Sequence, residues 1–250
     1  MSSLAISSIT FVCVFGGAMT GMYIHRALPQ HHLNSDTKDV VKLGMGLVGT
    51  MTALILGLLV SSAKSSFDAQ NTELTDVSAK VIMLDRVLAR YGPEASQARD
   101  LLRQVVAGTI ERTWPQSGPR ASGLSAAPGG EILYERVQQL VPQDDRQRSI
   151  QAQALSIGMS LGQTRWLMYE QGTTSVSWTL LALLVFWLTL TFTSFGLFAP
   201  ANATAVASLF VSALSVSGAI LLILEMYTPY GGLIQVSSAP LRAALAHLGQ

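Results

Sequence analysis

Two lysines, Lys42 and Lys64, bracket an apolar run that carries no other charge. Between them Gly46, Thr50, Ala53, Gly57 and Ser61 recur at spacings of three or four. On a helix that spacing makes one narrow stripe of small, partly polar side chains. In a bilayer such a stripe lets a second helix approach closely, because small side chains permit backbone contact. It can also line a pore, with ammonium groups at both mouths raising the local anion concentration. Lysines at span ends also snorkel to the interface without any part in conduction. On the pore reading, Leu56 and Val60 are the alternatives for an apolar constriction. Burial of the stripe against the first span would exclude that reading.

Other chemistry is thinly represented. His25, His31 and His32 cluster on one connection, but no acidic pair stands at ligand spacing beside them, so no metal site is expected. No Ser-His-Asp order, phosphate-binding loop, dinucleotide fingerprint or zinc-protease motif occurs. The expectation is a protein that is not an enzyme and takes no cofactor. The net charge of +1 leaves no footprint for nucleic acid. Glu225 is the lone acid near an apolar run and reads as an interface residue rather than a proton relay. No buried acid or base and no broken helix marks a proton-coupled or secondary transporter.

The elements that position the stripe follow from composition. Mean hydropathy is +0.39 and only 12% of the 250 residues are charged, which is a membrane-protein balance. Four apolar runs, about 4–24, 43–63, 176–199 and 203–224, each approach the roughly 20 residues that cross a bilayer. They pair as two hairpins. The first has a polar connection; the second has only Ala-Pro-Ala-Asn, where Pro200 ends a helix and Asn202 caps the next. Cys13, the single cysteine, lies in an apolar run, so no disulfide framework exists.

From Asp36 to Tyr91 the pattern predicts one helix of roughly 50 residues, about 75–80 Å at 1.5 Å per residue. Beyond the apolar run it carries a heptad seam of Phe67, Leu74, Val77, Val81, Leu84, Leu88 and Tyr91, with Gln70 off-pattern. Counted back by sevens, the seam enters the span through Ala63, Val60, Leu56, Ala53, Gly49 and Gly46. Tyr91-Gly92-Pro93 is a strong stop. A second amphipathic helix carries Leu101, Leu102, Val105, Val106 and Ile110. A connector rich in Ser, Gly, Pro and Ala follows to Gly130, then a short helix over 131–141. Asp144 or Asp145 caps a further helix with Ile150, Ala154, Ile157, Leu161 and Met168 along it, the natural antiparallel mate of the first seam. Near the C-terminus, Tyr227 and Tyr230 fit an interfacial aromatic belt. Ser238 and Pro240 then open a short helix whose leucines would lie on the membrane or dock on the insert.

The expected class is an all-α integral membrane protein: four transmembrane helices in two hairpins with a helical soluble insert. The divisions are residues 1–64, 65–175, 176–226 and 227–250, the last an amphipathic tail. Two hairpins place both termini and the insert on one side, which we read as cytoplasmic.

The run from Asp36 to Phe67, Leu84-Asp85-Arg86 with Tyr91-Gly92-Pro93-Glu94-Ala95, and the end from Leu197 to Thr204 and Gly232 to Arg242 resemble the bestrophin-like domain family of bacterial membrane proteins. The resemblance covers nearly the whole chain. In layout the chain is similar to bestrophins, pentameric anion channels whose second span lines the pore neck. That similarity implies a homo-oligomer, with a pentamer favoured, in a bacterial inner membrane, whose partners are lipid and small inorganic ions. Where bestrophins constrict with paired Phe, this chain has Leu56, Leu59 and Val60, and no acidic cluster resembles their calcium clasp. The implied function is an anion-conducting channel. The alternative is a non-conducting scaffold or a stator-like force-coupling protein, which shares the two-hairpin layout.

Overall fold

The computed structural model describes residues 2–27, 35–115, 129–173 and 177–249. Its helices are α1 (Ser3–Ala27), α2 (Ser35–Tyr91), α3 (Ser96–Thr113), α4 (Gly129–Gln138), α5 (Asp145–Thr173), α6 (Trp178–Phe198), α7 (Ala203–Met226) and α8 (Ala239–His247). No strand occurs among the described residues. Four helices, α1, α2, α6 and α7, are long and apolar enough to cross a membrane. Most of the Ser/Gly/Pro/Ala connector and two of the clustered histidines, His31 and His32, lie outside the described residues. The chain forms two compact units: Met1–Lys64 with Ser175–Tyr227, and Ser65–Thr174 with Thr228–Gln250.

In the first unit α1 packs along α6 and α7. Lipid offers no hydrophobic drive between helices, so close packing must supply the contact energy. Gly21 and Gly196 supply it. A Cβ on Gly21 would fall 2.0 Å from the Thr193 carbonyl oxygen, and one on Gly196 would fall 2.0 Å from that of Ala18. Thr189, Thr191 and Thr193 return their hydroxyls to the carbonyls four residues back, at 2.7, 2.9 and 2.7 Å. Polar side chains are thereby satisfied within their own helix. Phe11, Phe15 and Phe210 lock α1 to α7, with edge-to-face centroid separations of 5.4 and 5.5 Å. Asn202 caps α7 as expected, accepting from the Ala205 N–H at 2.8 Å.

Within this unit α2 is packed along one face only. Thr52, Leu59 and Ala63 are buried, with Ile55 and Leu56 beside them. The heptad line expected through Val60, Ala53 and Gly46 instead turns outward, and all three are exposed. A 3.6-residue helix drifts about 20° per heptad, so a line buried at Leu74 does not stay buried several heptads earlier.

In the second unit most of the seam is buried as expected, with Phe67 and Val77 half-buried. Leu74, Val81, Leu84, Leu88 and Tyr91 are at most 4% exposed. The α5 mate is antiparallel: Leu74 packs near Met168, Lys80 Nζ donates to Thr164 Oγ1 at 3.1 Å, and Gln147 Nε2 donates to the Tyr91 carbonyl at 3.1 Å. Gly92, at φ 130°, ends α2 in a conformation only glycine adopts without strain. Asp144 is the cap of α5, its Oδ1 accepting from the Gln147 N–H at 2.6 Å. α4 stops at Gln138, short of the expected 141, and Gln151 Nε2 satisfies the carbonyls of Val137 and Leu140 there. Pro142 disfavours helical geometry at Val141 and has no N–H to offer the Gln138 carbonyl four residues back.

Two features near the C-terminus depart from expectation. Tyr230 is no interfacial ring: it is 1% exposed, packed edge-on to Trp114, whose indole N–H donates to the Val236 carbonyl at 3.0 Å. The Ser238 hydroxyl accepts from Arg242 rather than from the backbone of α8. The tail helix docks on the insert, with Leu241, Ala244 and Leu248 in its core. Its end is tied by charge. Asp85, 2% exposed, takes two hydrogen bonds from Arg99, at 2.8 and 2.9 Å, and a third from the Gly249 N–H at 3.2 Å. Burial raises the Asp85 pKa, but the Arg99 and Gly249 hydrogen bonds and the charges of Arg99 and Arg86 outweigh it. The carboxyl is held below the ordinary range.

Stability should respond to pH and to three substitutions as follows. A folded-state pKa below the unfolded value means that the Asp85 contribution is present above about pH 4 and is lost as pH falls through the lower folded pKa. Asp85→Ala should cost about 3–5 kcal/mol and remove that part of the acid limb of a stability–pH curve, because Arg99 is left without its carboxylate. Gly196→Ala should cost about 2 kcal/mol or more, since backbone cannot move aside. Gly16→Ala, with nothing within 4 Å of its Cβ, should cost nothing measurable in the same thermal scan in detergent.

Candidate pore-lining face of α2

The stripe between Lys42 and Lys64 lies on the surface of its unit. Gly46, Thr50, Ala53, Gly57 and Ser61 are all exposed. No heavy atom comes within 4 Å of a Cβ built on Gly46, Gly49 or Gly57. At 3.6 residues per turn, the stripe is roughly opposite the face that carries Thr52, Leu59 and Ala63. The small residues are therefore not used to seat α1, which lies on α6 and α7.

Chemically the stripe is modest. Thr50 donates its hydroxyl to the Gly46 carbonyl at 2.9 Å, which satisfies it without a partner helix. Ser62, next to the stripe, accepts from the Tyr227 hydroxyl at 3.1 Å, so the end of α7 steadies α2 near its Lys64 end. Lys42 is 68% exposed at its side chain and lies 3.6 Å from Asp39, an exposed pair that binds weakly. Lys64 is exposed. Of the two constriction candidates, Leu56 is partly packed into the unit's core, while Val60 is 42% exposed. A third face of α2 carries Leu43, Leu47, Met51, Leu54 and Leu58, all exposed. Large apolar side chains there suit lipid, so α2 has one packed, one oily and one small-residue face.

The remaining candidates are dispersed. His25 Nδ1 is 2.8 Å from the Leu197 carbonyl and so joins α1 to α6. No group of three or more His, Cys, Asp or Glu side chains able to hold a metal occurs among the described residues. Glu225, expected at the interface, is 5% exposed in the last turn of α7. Sequence periodicity did not reveal it as buried, because a single acid at the end of an apolar run carries no pattern. The Thr204, Ser208, Ser212 and Ser215 line of α7 is exposed as well.

Four membrane-spanning helices joined to a helical soluble unit define a polytopic α-helical membrane protein. More particularly, the chain belongs to the Bestrophin-like domain family, whose model matches residues 12–241. No curated protein matches the chain, and no solved structure does.

The three faces of α2 can be told apart with cysteines in a Cys13→Ser background, since Cys13 is exposed. In membranes, Thr50→Cys and Ala53→Cys should react with a charged methanethiosulfonate. Met51→Cys and Leu58→Cys, facing lipid, should not, and neither should buried Leu59→Cys. Equal reactivity at positions 53 and 58 would remove the distinction.

Proposed function

We propose that the protein is an oligomeric ion channel of the bacterial inner membrane that conducts anions, with α2 lining the pore. The observation that carries this reading is the orientation of the stripe. The small, partly polar face of α2 is turned away from every other helix of its unit, and a lone protomer gives it nothing to do. Around a symmetry axis, copies of that face would enclose a path lined by Thr50, Ala53, Gly57 and Ser61 and by backbone carbonyls beside the glycines. Val60 is the better-placed constriction, because Leu56 is spent on core packing. Lys42 and Lys64 would attract anions at the two mouths. The Bestrophin-like family match supports a channel-like membrane protein, and a pentamer is favoured by similarity to bestrophins. We place the insert and both termini in the cytoplasm, as two hairpins require them to share a side. No catalytic or cofactor role is assigned.

Reconstituted protein should pass chloride in a liposome efflux assay. Lys42→Glu with Lys64→Glu should lower the chloride-to-sodium permeability ratio about fivefold or more, by reversing the sign of the mouth potential. Folded, oligomeric protein that passes no halide would sink the channel reading, and a stable membrane partner found with it would favour the scaffold.

A further inference from the structure

The chain passes between the second unit and the spans after Lys64, after Thr174 and after Tyr227. Residues close to each of these links meet inside the second unit. Phe67, Met168 and Tyr230 pack in one cluster with Leu74, Trp114 and Val236. The cluster therefore marks the end of this unit from which the chain runs to the membrane.

Large apolar side chains beside that cluster stand in the open. Leu233, between Tyr230 and Val236 in sequence, is 75% exposed. Trp166 and Leu167, next to Met168 on α5, are 58% and 57% exposed. Single exposed apolar residues need no explanation, and Met83, Ile132 and Val141 of the same unit are of that kind. Leu233, Trp166 and Leu167 differ because a short piece of chain ties each to a span. From Tyr227 to Leu233 the chain reaches at most about 20 Å. Leu167 stands in the last two turns of α5, and α6 opens at Trp178, itself 53% exposed as an interfacial ring would be. Val141 precedes the start of α5, about 33 Å along the helix axis from Leu167.

Charge does not choose what covers this end. Arg165, beside Trp166, senses both Arg112 and Glu131, so the surroundings carry both signs. The residue types do choose. An indole places its ring in lipid and its N–H in the headgroup layer, and leucine follows it there. A protein interface needs a continuous face of about 800 Å² per partner. A bilayer interface accepts anchors at any spacing.

We propose that this end of the second unit rests in the lipid headgroup layer, with Trp166, Leu167 and Leu233 inserted as anchors. The proposal holds for either orientation of the protein and does not depend on conduction.

The experiment uses full-length protein with Cys13→Ser, in phosphatidylcholine nanodiscs with and without phosphatidylcholine that carries a nitroxide on its choline. Leu167→Cys, Leu233→Cys and Val141→Cys each receive an environment-sensitive fluorophore. All three side chains are more than half exposed, so the label displaces no packing. The nitroxide should quench the label about threefold or more strongly at 167 and 233 than at 141, because anchors reach about 5–10 Å into the interface. Their emission should also lie at shorter wavelength. Without any label, Trp166→Phe should remove a quenchable share of the tryptophan emission. Quenching at 167 or at 233 no stronger than at 141 overturns the proposal. So does a photocrosslinker at position 167 that joins two copies, which would make the cover a second protomer.

Discussion

The structure depends on one constraint: α2 is a single uninterrupted helix, and each stretch of it must bury a different line of side chains. Beyond residue 64 the surroundings are the aliphatic faces of α3 and α5, so Leu74, Val81, Leu84 and Leu88 must be inside. Within the span, lipid solvates apolar side chains as well as protein does, so only one face needs a protein contact. Thr52, Leu59 and Ala63 provide it. The remaining faces of the span, including the stripe of Gly46, Thr50, Ala53, Gly57 and Ser61, are turned away from the unit. A membrane helix free on two sides is the feature on which the functional reading rests.

The two units are held by opposite physics. The first relies on proximity of backbones, which is why Gly21 and Gly196 sit where a single methyl would strike a carbonyl. The second relies on burial of aliphatic area and on one buried charge pair. Asp85 joins α2 to α3 through Arg99 and to the end of the chain through Gly249. A carboxylate this buried is tolerated because three donors replace the water it lost. The same tie accounts for the tail docking on the insert rather than lying on a membrane.

Much of this was legible in the residues. The four spans, the stop at Gly92, the caps at Asn202 and Asp144, and the antiparallel mate of the seam all rest on local composition or on period. Such signals survive without knowledge of the neighbours. The candidate stripe was legible as a stripe, because Gly46, Thr50, Ala53, Gly57 and Ser61 share one face of any helix. Which way that face points was not legible. Leu56 and Val60 looked equivalent on a heptad count, and a 3.6-residue helix separates them into a core residue and an exposed one.

The sequence by itself thus determined the elements: helix extents, membrane crossings and the partner of the seam, all set by backbone geometry and by hydropathy over short windows. Tertiary structure alone decided the contacts between residues far apart in the chain. It turned the stripe outward, drew Tyr230 inward onto Trp114, gave Asp85 to Arg99 and Gly249, and left an open groove between α3, α4 and α5. None of these has a period. Each arises from where several helices come to rest against one another, and volume left over between them is a property of the packing, not of any one segment.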